Sequence, residues 1–110
     1  MKRGEVLFVK IYQYHIQLNQ IEEYLRIQDQ AIKIYSQYVD FQTVYINSKE
    51  DATKWLEIST YKDENEYKKS IDLINEDKEI QELFNKFQSL LSPETEIIEE
   101  DFMERKRIGK

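Results

Sequence analysis

The chain is 110 residues long, with 16 basic and 22 acidic side chains, a net charge of −6, one histidine and no cysteine. That length fits a single domain spanning residues 1–110. The missing cysteines exclude disulfides, thiolate nucleophiles, zinc ribbons and iron–sulfur clusters, and His15 alone cannot build a multi-histidine metal site.

Despite a mean hydropathy of −0.76, Leu, Ile, Val and Phe make up about 28% of the chain, above the roughly 20% below which a core is implausible. Val6 to Ile16 (VLFVKIYQYHI) alternates between an aliphatic set, Leu7, Val9 and Ile11, and a mixed set, Phe8, Lys10, Tyr12 and Tyr14. This predicts a strand covered on both faces. Lys10 and Gln13 break its apolar run, so neither a signal peptide nor a membrane span fits, and the expected compartment is the cytoplasm. Asn19 with Glu22 three residues on has the spacing of a helix cap. Ile21, Leu25, Gln28, Ile32 and Tyr35 then recur at helical spacing, which predicts a helix over about 20–38.

Phe41 to Ser48 and Thr53 to Tyr61 alternate again around the polar turn Lys49 to Ala52, which predicts a hairpin. Asp63 with Glu66 repeats the capping spacing ahead of Tyr67, Ile71 and Ile74. Asn75-Glu76-Asp77 interrupts that stripe before Ile80, Leu83, Phe84, Phe87, Leu90 and Leu91 resume it. One kinked helix or two helices with Asp77 as a second cap both fit. Ser92-Pro93 closes the helical region, and the charged run Glu94 to Ile108 reads as an edge strand. The one basic cluster, Arg105, Lys106, Arg107 and Lys110, is a short tail on an acidic chain, which argues against nucleic acid as a partner.

Strand, helix, strand, strand, helix, strand is the βαββαβ order of an α+β, ferredoxin-like fold with a four-stranded antiparallel sheet. Right-handed crossovers place strands one and three in the centre. The aliphatic set Leu7, Val9, Ile11, Val44, Ile46, Leu56 and Ile58 is expected to face the helices. The other face then carries Phe8, Lys10, Tyr12, Tyr14, Thr43, Tyr45, Trp55, Glu57, Ser59 and Tyr61, too apolar to leave in water. A second copy packed on that aromatic face is the expected cover.

In this order of elements the chain resembles the dimeric α+β barrel superfamily, which includes antibiotic biosynthesis monooxygenase-like and NIPSNAP-like proteins. The run Trp55 to Ser70 (WLEISTYKDENEYKKS) carries the local likeness: Tyr61 ends a strand, Asp63-Glu64 make an acidic turn and Tyr67 lies in the helix that follows. Ser70 stands where that family often has histidine, and Ser59 where glutamate is common. The resemblance implies a homodimer with a cleft between sheet and helices. The function it implies is small-molecule binding, including a cofactor-independent monooxygenase-like activity on an aromatic or polyketide-like compound. The alternative is a structural or regulatory homodimer without substrate.

Within that frame, Lys10 and Glu57 share a face of neighbouring strands, either as a mutually neutralised pair or as a general acid or base tuned by burial. Tyr12, Tyr14, Tyr45, Trp55 and Tyr61 either line a site for a flat hydrophobic ligand or pack an interface. No cofactor or metal is expected. Haem, the minority alternative, would fall to His15, whose parity places it on the aliphatic face. The carboxylates Glu94, Glu96, Glu99, Glu100 and Asp101 are split between faces by alternation and lack calcium-loop spacing.

Overall fold

The computed structural model describes residues 6–109. The amino-terminal Met1 to Glu5 and Lys110 of the basic tail lie outside the described residues. The elements are β1 (Leu7–His15), α1 (Ile21–Tyr35), β2 (Phe41–Asn47), β3 (Lys54–Tyr61), α2 (Glu64–Glu76), α3 (Lys78–Ser89) and β4 (Ile98–Glu104). The strands form one antiparallel sheet in the order β2-β3-β1-β4, with β1 and β3 central as the crossover rule requires. This is the ferredoxin-like α+β architecture. No helix among the described residues is long and apolar enough to cross a membrane.

Local chemistry sets the helix boundaries, in one case against expectation. The Asp63 carboxylate accepts from the Glu66 amide at 2.8 Å and starts α2. Asp77 is extended (φ −70°, ψ 122°), and its carboxylate accepts from the amides of Glu79 (2.8 Å) and Ile80 (3.2 Å). The second helical region is therefore two helices. Asn19, by contrast, does not cap α1: a 3-10 turn over Leu18–Gln20 runs straight into the helix, so Asn19 sits inside a turn and the N-cap residue is Gln20, which makes no side-chain cap hydrogen bond. Glu22 and Glu23 in the first turn of α1 still complement its dipole. The helix stops at Tyr35, and residues 36–38 close with tighter turn bonds.

The assignment of the two sheet faces is the main correction. The aromatic set faces the helices: the Tyr14 ring packs edge-on against Phe87 at 4.9 Å and against Tyr24 at 5.8 Å, and Trp55 lies 4.9 Å from Tyr24. The core is built from these rings with Ile27, Ile34, Ile74, Ile80, Leu83 and Leu90. The aliphatic set lies on the outer face, where Val44 is 54% and Ile46 44% exposed. Both faces are apolar, so hydrophobicity alone does not choose between them. The polar tips do, because Lys10, Tyr14, Tyr45 and Glu57 find hydrogen-bonding partners on the helices and on neighbouring strands of the same face. The larger rings also fill the depth between sheet and helices better than branched aliphatics would.

Candidate active site

Between the sheet and the helices lies a cavity of about 620 Å³. Its floor comes from alternate residues of the three strands β1 to β3: Tyr12 and Tyr14, Thr43 and Tyr45, and Glu57, Ser59 and Tyr61. Alternation puts these on one face, and the register Tyr12↔Glu57↔Tyr45 sets three of them side by side across the sheet. Ile27, Gln28, Ala31 and Tyr35 of α1 make one wall. Tyr67, Ile71 and Asn75 of α2 with Ile80, Leu83, Phe84 and Phe87 of α3 make the other, and Ile97 and Glu99 lie beside β1. Phe84, predicted for the helical stripe, is 51% exposed and belongs to this lining.

Glu57 is the one carboxyl group on the floor. The Tyr14 hydroxyl donates to its Oε1 at 2.8 Å, and Tyr14 is in turn 2.6 Å from the Tyr24 hydroxyl. Burial pushes the Glu57 carboxyl above its ordinary range, and the Tyr14 bond offsets only part of that. Burial raises the proton affinity of the carboxylate, which makes it a better acceptor for a proton from a bound molecule. The phenols are all driven upward, chiefly by burial: Tyr35 to about 12, and Tyr12, Tyr14, Tyr24, Tyr45 and Tyr61 further. They serve as neutral hydroxyl groups.

The expected Lys10–Glu57 pair does not form. Lys10 is opposite Ser59 and Asp101 rather than Glu57, and its ammonium binds Glu99 and Asp101 at 2.6 Å each. Burial alone would depress the Lys10 pKa, but the two carboxylates outweigh it and hold the group above its usual range. Phe8, Tyr12 and Tyr67 surround it with rings at 5.1–5.8 Å. A saturated cation of this kind clamps β4 to β1 and is not placed for proton transfer. Trp55 also departs from expectation: it is 7% exposed, packs in the core beside Tyr24 and does not line the cavity. Tyr12, Tyr14, Tyr45 and Tyr61 do line it.

His15 keeps the parity of the aliphatic set, which puts it on the outer face, and bonds Thr53 Oγ1 at 2.9 Å, away from the cavity. Among the described residues no cluster of three or more His, Asp or Glu could hold a metal ion. Among the lining residues that went unread as functional in the sequence are Gln28 and Glu99. Gln28 was visible as a polar residue inside an apolar helical stripe, and Glu99 shares the parity of Asp101 and so faces the helices.

No protein-family model matches the sequence, and no curated protein matches it. Solved structures do. A mutant of SnoaB, a cofactor-independent oxygenase of Streptomyces nogalater, superposes with a TM-score of 0.68 at 11% identity, covering 96% of this chain and 98% of its own. A NIPSNAP family protein of unknown function from Agrobacterium tumefaciens gives 0.68 at 16% identity over 93% and 89%. A candidate antibiotic biosynthesis monooxygenase of Nitrosomonas europaea gives 0.65 at 9% over 91% and 93%. The chain has the fold of these two groups. At such identities the likeness is one of fold, and activity has to be argued from the site.

Proposed function

We propose that the chain binds a flat aromatic or polyketide-like compound between sheet and helices, and that Glu57 moves one of its protons in a cofactor-independent, monooxygenase-like reaction. The observation that carries this reading is a carboxyl group of raised pKa, held by a single phenol, on the floor of an aromatic cavity. Tyr12, Tyr14, Tyr45 and Tyr61 supply ring contacts and orienting hydroxyls. Removal of a proton from a methylene between aromatic rings leaves a carbanion that O2 can oxidise. The methylene and O2 become a carbonyl and water, so the electrons balance without a further cofactor.

The test is oxygen uptake with anthrone as probe and no added cofactor. One O2 is consumed per quinone formed, and Glu57→Gln lowers turnover by about 100- to 10,000-fold while anthrone still binds. Turnover unaffected by Glu57→Gln, or none at all with bound anthrone, removes the catalytic role.

The outer face supports a homodimer. Val44, Ile46, Ile98 and Phe102 are each at least 40% exposed on the same side as Leu7, Val9, Ile11, Leu56 and Ile58. A second copy packed there, sheet against sheet, covers an apolar surface that water would otherwise face. This is the aliphatic face and not the aromatic one. The same dimer underlies the competing reading, a structural or regulatory module without substrate. Failure of aromatic probes to bind a protein that light scattering finds dimeric would favour it.

A further inference from the structure

The rings of the cavity conceal a charge pattern. Two carboxyl groups, Glu57 and Glu99, open into it, and among the described residues no lysine, arginine or histidine lines it. Lys10 lies behind the wall, 5.1 Å from the Tyr67 ring centre and 5.8 Å from that of Tyr12. Its charge is already taken by Glu99 and Asp101. One cation against two carboxylates leaves that end of the cavity net negative.

The polar groups are also unequal as donors and acceptors. Gln28, 9% exposed, accepts the Tyr45 hydroxyl proton at its Oε1 over 2.9 Å. Its two amide hydrogens have no acceptor among the described residues, although the residue lines the cavity. An amide that lines the cavity and has no protein acceptor is free to donate to a ligand oxygen, which gains affinity and orientation from it. A ligand carboxylate would find no free cation, and the carboxyl groups of Glu57 and Glu99 beside it offer no counter-charge, in surroundings where an unpaired charge is strongly disfavoured.

We propose that the cavity selects a neutral aromatic compound whose carbonyl or hydroxyl oxygen is held by the Gln28 amide, and that it rejects carboxylated and other anionic relatives. This rests on the reading of the cavity as a ligand site. It also places the chain in a reaction sequence: the step that supplies the compound must remove or mask any carboxyl group, by decarboxylation or by closure of the acid onto a ring.

The experiment titrates the full chain at neutral pH with three probes of the same rings: naphthalene, 2-acetonaphthone and 2-naphthoate. Acetonaphthone is expected to bind about tenfold or more tighter than naphthoate. Gln28→Leu lowers acetonaphthone affinity about five- to tenfold and leaves naphthalene unchanged, which reports an intact cavity. Glu99→Gln raises naphthoate affinity. If Gln28→Leu does not fold, Tyr45→Phe frees the amide to rotate and lowers acetonaphthone affinity by a smaller factor, again without effect on naphthalene. Naphthoate binding as tightly as acetonaphthone, or a Gln28 variant weakening acetonaphthone and naphthalene alike, overturns the selectivity and leaves the cavity a ligand site. Failure of all three to bind overturns both.

Discussion

The two faces of the sheet are apolar in different ways. The face toward the helices is aromatic and carries Lys10, Glu57, Ser59 and Gln28-bonded Tyr45, each tied by specific hydrogen bonds or ion pairs. The outer face is aliphatic and largely without titratable groups at its centre, where Ile11 pairs with Ile58 and Ile58 with Val44. Rings with polar tips build a space of defined shape, because each tip has to meet a partner. Branched aliphatic chains build a smooth surface that another smooth surface can cover. On the proposed reading, chemistry and assembly are divided between opposite sides of one sheet, separated by a single layer of backbone.

Substitutions that damage only one face sharpen this division. The largest loss is expected on the cleft side. Phe87→Ala removes the ring against Tyr14 and should cost about 3–5 kcal/mol in denaturant unfolding. Next comes the Glu99→Gln, Asp101→Asn double variant, which strands the buried Lys10 ammonium. It should lose about 2–3 kcal/mol, reduced from the fully buried case because both carboxylates are half exposed. Lys10→Met in the same background should restore most of that loss, since an apolar side chain suits the ring-lined site.

On the outer face, Val44→Asp should change the unfolding free energy of the monomer by only about 0.5 kcal/mol, yet abolish the dimer in light scattering. A Val44→Asp protein that stays dimeric would break the proposed division. The smallest effect is pH-dependent. The folded Glu57 carboxyl has a raised pKa, so the folded state binds more protons than the unfolded one, and stability falls as pH rises. Its penalty is absent below the unfolded carboxylate pKa and complete above the folded one. Glu57→Gln should therefore flatten the decline measured from about pH 4.5 upward.

Much of this was legible from short-range pattern. Asp63 and Asp77 lie two or three residues from the amides they accept, so spacing alone reveals them. Strand order followed from crossover handedness, and alternation alone put Tyr12, Tyr14, Tyr45, Glu57 and Tyr61 on one face. The direction in which that face points was not legible, because it depends on what the helices offer to polar tips. Alternation puts Lys10 on the same face as Glu57, 47 positions along the chain, whereas its partners are 89 and 91 positions away on β4. Only the β1–β4 register, which puts Lys10 beside Asp101, decides that choice. Trp55 shares parity with Glu57, yet its position at the start of β3 carries it past the cavity into the core.

Asp77 has a consequence for the shape of the molecule. One extended residue divides the far wall into two rigid panels, with Ile71 and Asn75 on one and Ile80, Leu83, Phe84 and Phe87 on the other. Backbone torsions at a single position set the angle between the panels. Width can thus be retuned there by substitution or insertion while the floor that carries Glu57 is left alone, much as a folding screen is adjusted at its hinge.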